Sequence, residues 1–324
     1  MALIPLEEVR DAAIRTGARL HRTPVFTSSS LGERAGVRLH LKCESFQKTG
    51  SFKPRGALNI VLSMADERRA RGLITVSAGN TAQAVAWAAR AAGVPCTVVM
   101  PEDAPRSKSD AVRGYGATIV FHGDRATLFD RMHEEEARLG ATFVHPFDDP
   151  IGLAGAGTVG LEIVEQVPDV ACVIVAMGGG GLMAGVASAV KALKPGCRVI
   201  GVELEEGPGM TPSLAAGKPI PVPRPDTIAD GLAPPFVGAL PLAVAREALD
   251  DIVLVTEGEI VDAMRSLLVR AKLYVEGAGA AATAALLAGK ARPPAGAVVV
   301  SIVSGGNVDP ERALAAFARP ERPE

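Results

Sequence analysis

Short apolar runs alternate with longer amphipathic stretches along nearly the whole chain. The apolar runs predict β-strands at Val37–Cys43, Ile74–Ser77, Cys96–Met100, Ala117–Phe121, Ala171–Met177, Arg198–Val202, Ile252–Val255 and Ala297–Val303. The stretches between them predict helices, among them Thr81–Ala92, Arg125–Leu139, Leu182–Leu193, Glu257–Lys272, Ala278–Ala288 and Pro310–Ala318. Several strands are almost uniformly apolar, as parallel strands are when helices cover both faces of the sheet. The pattern therefore predicts an α/β fold with parallel sheets.

The chain has 324 residues, which is long for one domain and suits two lobes that share a cleft. The segment Gly207–Pro235 is rich in Pro and Gly and lacks a clear period. Because strong α/β patterns flank it on both sides, we interpret it as a long ordered connection near the site.

Charge, termini and cysteines exclude several classes of protein. The formal net charge is −2 and basic residues are not concentrated anywhere, which argues against a nucleic-acid partner. The first residues lack the basic and long apolar regions of a signal peptide, and the apolar runs are too short to span a membrane. The four cysteines are scattered without a CxxC pair, so neither a disulfide framework nor a zinc knuckle is expected. A soluble protein of a reducing compartment is predicted.

Three polar or glycine-rich turns each follow a predicted strand: Ser77–Asn80, Gly178–Gly181 and Ser304–Asn307. In open parallel sheets the carboxyl ends of the strands face the ligand crevice. We therefore expect the three turns to converge on one ligand.

The four consecutive glycines at Gly178–Gly181 stand between a strand and a helix. Glycine lets the backbone approach an anion closely, and the start of a helix adds oriented N–H groups. A phosphate is the expected guest. The spacing is not that of a dinucleotide fingerprint, whose third glycine would fall on Met183, and no Gly-Lys-Ser/Thr follows as in a P-loop.

Lys53 stands between Phe52 and Pro54, just ahead of an apolar helix. A lone lysine is usually a solvated surface charge, but a desolvated amine can become nucleophilic enough to attack a carbonyl carbon. The neighbouring residues alone do not distinguish a nucleophilic Lys53 from a solvated one.

The segment that contains it, KCESFQKTGSFKPRG, resembles the cofactor-lysine motif of fold-type II pyridoxal-phosphate enzymes. The form is that of serine/threonine dehydratases (threonine ammonia-lyases), and it is similar to that of serine racemase. The resemblance continues through SAGNTAQ, HPFDD, GGGGL, VEGAGA and SGGN and so covers essentially the whole chain. It implies a tryptophan synthase β-like fold with two open, twisted, largely parallel sheets and flanking helices. Residues 1–71 and 151–324 would form a large cofactor-binding domain, and residues 72–150 a small substrate-closing domain.

The resemblance also assigns roles. Lys53 would bind pyridoxal 5′-phosphate covalently and later remove the Cα proton, Ser304 would hydrogen-bond the pyridine nitrogen, and Asn80 would contact the 3′-oxygen. Further cofactor contacts are implied at Phe52, Gly178, Gly179, Gly180, Gly181, Leu182 and Glu276. Substrate contacts are implied at Ser51, Ser77, Ala78, Gly79, Asn80, Thr81 and Gln83.

The implied reaction is β-elimination from a small amino-acid substrate. Threonine would yield 2-oxobutanoate and ammonia, and serine would yield pyruvate and ammonia. Relatives of this kind are commonly homodimers, so a homodimer is expected. The charge balance, the short apolar runs and the scattered cysteines add the expectation of a cytoplasmic protein without a nucleic-acid or membrane partner.

Several positions depart from the family pattern. Ala78 replaces the second acid/base serine of serine racemase, which argues against racemisation. Thr81 stands where the family usually has His, so the substrate's side chain stays open. Glu203 fits the first ligand of the family's divalent-cation site, but the downstream ligand falls on Gly209, which argues against the cation. Gly277 replaces the usual proline after Glu276.

Two alternatives remain. One is a lyase for 3-hydroxyaspartate or another β-hydroxy amino acid, which Thr81 and the insertion Ala233–Phe236 leave open. The other is a non-catalytic ligand-binding protein with the same fold, against which the intact Lys53, Asn80 and Ser304 argue.

Overall fold

The computed structural model describes residues 2–104 and 106–318. Residue 105, and residues 1 and 319–324 of the predicted large domain, lie outside the described residues. The strands are β1 (Val25–Thr27), β2 (Arg38–Cys43), β3 (Leu73–Val76), β4 (Cys96–Pro101), β5 (Thr118–His122), β6 (Thr142–Phe143), β7 (Cys172–Ala176), β8 (Arg198–Leu204), β9 (Asp251–Val255) and β10 (Val298–Val303). The helices are α1 (Leu6–Thr16), α2 (Ser29–Ala35), α3 (Lys53–Ser63), α4 (Asp66–Ala70), α5 (Asn80–Ala92), α6 (Arg106–Gly114), α7 (Leu128–Leu139), α8 (Pro150–Gln166), α9 (Gly181–Leu193), α10 (Met210–Ala216), α11 (Ala239–Ala248), α12 (Glu257–Ser266), α13 (Gly277–Leu287) and α14 (Pro310–Phe317).

The strands form two sheets. The larger has six strands in the order β1-β2-β10-β7-β8-β9, and the smaller has four in the order β5-β4-β3-β6. All neighbouring strands run parallel except β1, which pairs antiparallel with β2. Every residue of β7 and β10 is buried, as expected of central parallel strands covered on both faces. The prediction of two open, largely parallel sheets with flanking helices is confirmed.

The structure differs from the sequence predictions at short or irregular elements. Strands β1 and β6 have three and two residues and were not predicted, because so short a run carries no period. The segment Gly207–Pro235, interpreted as a connection, contains helix α10. The single helix predicted over Glu257–Lys272 is divided: α-helix α12 ends at Ser266, and a π-helical turn follows over Leu267–Ala271.

Small residues allow helices α3, α8 and α9 to pack in close contact. A Cβ added at Gly155 would collide with the carbonyl oxygen of Arg55, and one at Gly185 would lie 2.5 Å from the backbone nitrogen of Gly157. Bulkier residues at these positions would force the helices apart. Because Lys53 is the first residue of α3, such a shift would also displace Lys53.

A buried cluster of charged side chains lies beneath the first turn of α3. The Arg55 guanidinium donates to both carboxylate oxygens of Glu44, at 2.7 and 2.8 Å, and to both oxygens of Glu162, at 2.7 and 3.0 Å. The Lys42 ammonium adds a bond of 2.5 Å to Glu162. Two cations and two anions thus neutralise each other, and they join β2, α3 and α8.

The four cysteines are free and buried. Burial raises the pKa of Cys43, Cys96 and Cys172 to about 12, so these thiols stay protonated at neutral pH. Within residues 2–104 and 106–318, no helix combines the length and the apolar character needed to cross a bilayer.

Removal of Arg55 should test the importance of the buried cluster. We expect Arg55→Met to lower the free energy of unfolding by about 3–5 kcal/mol, because Glu44 and Glu162 would keep two charges with only Lys42 to balance them. Chemical denaturation of the apoprotein measures this loss. In the control variant Arg106→Met, whose partner Asp110 is exposed, the change should stay within about 0.5 kcal/mol. Equal losses in the two variants would contradict the prediction.

Candidate active site

A cleft of about 610 Å³ lies where the carboxyl ends of β3, β7 and β10 meet. The three turns singled out in the sequence all contribute to its wall. Of the predicted site residues, those that line the cleft are Phe52, Lys53, Ser77, Ala78, Gly79, Asn80, Thr81, Gly178, Gly179, Gly180, Gly181, Leu182, Glu276 and Ser304. Ser51 and Gln83 are buried and belong to the layer beside the cleft rather than to its lining.

Lys53 is the first residue of α3, and its neighbours in the chain hold it against the end of β10. The backbone N–H of Phe52 donates to the Ser304 carbonyl oxygen at 3.0 Å, and Ser51 forms a β-bridge with Gly305. The Lys53 ammonium donates to the Pro146 carbonyl oxygen at 2.8 Å. Burial lowers the pKa of Lys53 to about 8, against the opposing charge of Glu276. With this pKa, about a tenth of the amine is neutral and nucleophilic at pH 7, far more than for an exposed lysine.

The tetraglycine turn connects β7 to the N-terminus of α9. Gly180 has φ +90°, which favours glycine, and a Cβ on Gly179 would collide with the Phe147 ring. A Cβ on Gly178 would lie 2.5 Å from the Gly231 carbonyl oxygen. The turn therefore tolerates only glycine at these positions, and the first N–H groups of α9 have no partner within the helix. Such a turn suits a phosphate.

Asn80, Glu276 and Asn307 form a chain of hydrogen bonds across the cleft wall. The Asn80 Nδ2 donates to Glu276 Oε1 at 2.6 Å, and the Asn80 Oδ1 accepts from Asn307 Nδ2 at 2.8 Å. Asn307 Nδ2 also donates to the Thr49 carbonyl oxygen at 2.6 Å. These bonds fix the orientation of the Asn80 amide.

Glu276 is buried, and its second carboxylate oxygen, Oε2, has no hydrogen-bond partner among the described residues. Burial raises the pKa of Glu276 to about 7, although Lys108 and Lys53 pull it down. A buried polar atom without a partner is costly, so this oxygen indicates a polar group of a ligand.

Ser304 ends β10 and opens the third turn. Its hydroxyl donates to the Ala278 carbonyl oxygen at 3.3 Å, a long bond that a better partner could replace. On the opposite sheet Ser77 accepts a bond from the Gly79 N–H at 3.1 Å, which shapes the turn before α5. The free N–H groups at the start of α5 suit a carboxylate.

Some residues of the site carried no signal in the sequence. Lys108, on α6, is buried in the cleft wall and pairs at 2.6 Å with Asp230. Asp230 belongs to the larger-sheet unit, by which we mean residues 2–71 and 151–318. Lysine on a polar helix is indistinguishable from a solvated surface charge when only the sequence is read. Asn307 and Pro146 belong to the segments SGGN and HPFDD, but the sequence assigns a role to neither residue.

Glu203 lies away from the cleft. Its carboxylate accepts hydrogen bonds from the backbone N–H groups of Gly209, Met210 and Thr211 and from the Thr211 hydroxyl, at 2.5–2.8 Å. It thereby caps the N-terminus of α10. Within the described part of the chain, no three His, Cys, Asp or Glu side chains are grouped as metal ligands. The expectation about the cation stays a prediction.

Together these groups fit pyridoxal 5′-phosphate. Lys53 offers the amine that its aldehyde requires, the glycine turn suits its phosphate, and the Ser304 hydroxyl is available to its ring nitrogen. The unpartnered Oε2 of Glu276 and the fixed amide of Asn80 offer polar contacts to the rest of the ring.

Comparison with known proteins agrees with this fit. The family model described as "Pyridoxal-phosphate dependent enzyme" matches residues 18–305. The chain is 45% identical to an L-threonine ammonia-lyase of Geobacter sulfurreducens over 310 residues, 95% of this chain and 76% of the relative. It is 42% identical to the catabolic L-threonine dehydratase of Escherichia coli, over 95% of this chain and 94% of the relative. The structure of maize serine racemase superposes with a TM-score of 0.92 at 38% identity, over 98% of this chain and 97% of the other. The chain therefore belongs to the family of pyridoxal-phosphate dependent enzymes.

Proposed function

We propose that the chain is an ammonia-lyase that converts L-threonine to 2-oxobutanoate and ammonia, and L-serine to pyruvate and ammonia. The observation that carries the proposal is the position of the Lys53 amine, with its pKa lowered to about 8, in one cleft with the glycine turn and the start of α5. The names of the two lyase relatives support the choice of threonine.

Lys53 is the base in this proposal. The bound cofactor supplies an electron sink that makes the proton on the substrate Cα acidic. Because its ammonium form is desolvated, the Lys53 amine is readily neutral and can accept that proton. The electron pair of the broken Cα–H bond forms a double bond to the neighbouring carbon, whose C–O bond breaks. The departing hydroxyl takes up one proton, equivalent to the one that Lys53 accepted, and leaves as water.

The turn Ser77–Asn80 and the first turn of α5 are proposed to hold the substrate carboxylate. The N-terminus of a helix carries partial positive charge and unpaired N–H donors. Thr81 lies in this turn and lines the cleft, so its hydroxyl is available to the substrate as well. Gln83, one turn further along α5, is proposed to support this loop, and Ser51 to support Lys53, from the layer beside the cleft.

Ser304 favours elimination over reactions that need a long-lived carbanion. A hydroxyl has no negative charge, so it does not hold a ring nitrogen protonated as a carboxylate would. The ring then withdraws fewer electrons, which suits prompt loss of the β-hydroxyl. Ala78 lines the cleft without a titratable group, and we propose that racemisation is not the main reaction for this reason.

The smaller sheet and its helices, residues 72–150, are proposed to close over the substrate. Two polar contacts that cross to the larger-sheet unit support this: Lys108 with Asp230, and the Ser107 hydroxyl with the Asp309 carboxylate. Each contact joins one side chain from either unit, so both can break when the units separate and form when they close, without a change in the fold of either unit.

A second candidate substrate, 3-hydroxyaspartate, is favoured by two arginines that line the cleft. Arg125 pairs with Asp103, whereas Arg224 makes no hydrogen bond or ion pair within the described residues. Partial desolvation in the cleft lowers the pKa of Arg224 and the charge of Arg125 lowers it further, while Asp230 and Asp103 oppose the shift. An additional carboxylate on the substrate would relieve this repulsion.

We further propose that the enzyme works as a homodimer in the cytoplasm. The family resemblance supports the dimer, and the four buried free thiols suit a reducing compartment. Light scattering coupled to size-exclusion chromatography of the holoenzyme would give the oligomeric state.

Substitution of the lysine tests the proposed mechanism. We expect Lys53→Ala to abolish covalent attachment of pyridoxal phosphate and to lower threonine turnover by about 10³-fold or more, because the base is lost. The 2-oxobutanoate released, and the cofactor retained after borohydride reduction, measure the two effects. The exposed Lys218→Ala serves as the control and should match the parent. Normal turnover by Lys53→Ala would overturn the proposal.

The lowered pKa of Lys53 predicts the pH dependence of cofactor capture by the apoprotein. Only the neutral amine attacks the cofactor aldehyde, so the rate of covalent attachment should rise with pH and level off above about 8. Rapid-mixing absorbance measurements between pH 6 and pH 10, with pyridoxal phosphate in excess, test this. A midpoint near 10.4, as for an exposed lysine, would show that burial does not tune this amine.

A substrate panel separates the two candidate substrates. If the cleft takes threonine, kcat/KM should be higher for threonine than for 3-hydroxyaspartate. If Arg224 binds a second carboxylate, Arg224→Gln should lower the ratio of kcat/KM for hydroxyaspartate over threonine by about tenfold or more. Absence of activity on hydroxyaspartate in the parent would eliminate the second candidate.

A further inference from the structure

The turn His145–Asp148 follows β6 and contacts three parts of the site at once. Its Pro146 carbonyl oxygen accepts the 2.8 Å bond from the Lys53 ammonium, and its Phe147 ring fills the space that a side chain on Gly179 would need. The Asp148 carboxylate accepts the backbone N–H groups of Ala239 and Leu240 at 2.9 and 3.0 Å, where α11 begins. A shift of this turn would therefore move the acceptor of the amine and the support of the glycine turn together.

One side chain determines the shape of the turn. The His145 Nδ1 accepts the backbone N–H of Phe147 at 3.2 Å and that of Asp148 at 2.9 Å. Both bonds close across Pro146, so they orient the carbonyl group that faces Lys53. An imidazole nitrogen accepts hydrogen bonds only when it carries no proton.

The surroundings of His145 keep that nitrogen free and the ring in place. Burial lowers the pKa of His145, and the Lys53 charge lowers it further, while Asp148 and Asp149 oppose the shift. The ring packs against three phenylalanines, with ring centroids 4.9–6.2 Å away: Phe129, Phe143 and Phe147. It has little freedom to rotate.

We propose that His145 is a positioning residue for Lys53: its Nδ1 braces the turn so that the Pro146 carbonyl oxygen holds the amine at the base of the cofactor site. The proposal rests on the proposed function for the role of Lys53, but it concerns the free amine and needs no substrate. A carbonyl acceptor stabilises the ammonium form more than the neutral amine. The brace therefore opposes the effect of burial and helps to set the fraction of neutral amine.

A purely structural role of the ring, as part of the aromatic cluster, is the competing explanation. Two variants of similar polarity distinguish the two roles. In His145→Asn the side-chain oxygen can occupy the place of Nδ1 and accept the same two N–H groups. In His145→Gln the amide reaches further, to the place of Nε2, and the two N–H groups lose their acceptor.

The pKa of the Lys53 amine in the apoprotein is the decisive measurement. Reductive methylation with formaldehyde and cyanoborohydride, followed by peptide mass spectrometry, gives the rate at Lys53 as a function of pH. We expect His145→Gln to lower the midpoint by about one pH unit relative to the parent, because the ammonium loses a hydrogen bond, and His145→Asn to retain the parent's midpoint.

Steady-state kinetics of the holoenzyme provide the second readout. A misplaced amine should lower kcat of His145→Gln on threonine by about 10- to 100-fold with little change in KM, and His145→Asn should restore most of it. Parent-like midpoints in both variants, with a fall only in the melting temperature, would overturn the proposal in favour of packing. A midpoint in His145→Asn that falls as far as in His145→Gln would overturn it as well. If the midpoints move as expected but threonine is not a substrate, the proposed function fails and the positioning role stands.

Discussion

The position of Lys53 depends on the buried ion cluster around Arg55. Ions taken out of water are stable only when each has its partners, so Lys42, Glu44, Arg55 and Glu162 must come together in one arrangement. Since they come from β2, the turn after it, α3 and α8, satisfying them fixes α3 against the larger sheet. Lys53 lies two residues before Arg55, so the same arrangement places its amine.

Burial of charged side chains has opposite effects in the ion cluster around Arg55 and in the cleft. Around Arg55 it is fully compensated by paired charges, and the result is rigidity. At Lys53 and Glu276 it is compensated only in part, and the pKa values move toward neutrality, to about 8 and about 7. A lysine and a glutamate that exchange protons easily near neutral pH are useful in a site that moves protons. The cleft thus owes its chemistry to groups that the surrounding fold leaves incompletely satisfied.

The site is assembled from the carboxyl ends of strands in both sheets, and each turn there supports another. The Lys53 segment hydrogen-bonds to the end of β10, and Asn307 orients Asn80 from the third turn. Phe147 packs against the glycine turn from the segment after β6. The glycines therefore have two roles: their backbone N–H groups are available to a ligand, and their lack of a side chain makes space for neighbouring residues such as Phe147. Mutual support of this kind explains how loops, usually the mobile part of a fold, can hold reactive groups in fixed places.

The alternation of strands and helices, the parallel sheets and the three turns at strand ends follow from the amino-acid sequence alone, because apolar periodicity and glycine-rich turns are local signals. Resemblance then added the lysine and its cofactor. The role of each charged group, in contrast, follows from its three-dimensional surroundings. Lys108 is a charge on a polar helix and Glu203 is a charge near the end of a strand, and the sequence indicates the partners of neither. Lys108 is buried in the cleft wall against Asp230, and Glu203 caps α10. His145 likewise has a defined role only because the chain folds back over Pro146 toward Lys53. Burial and partners depend on segments far apart in the chain, and no local pattern records them.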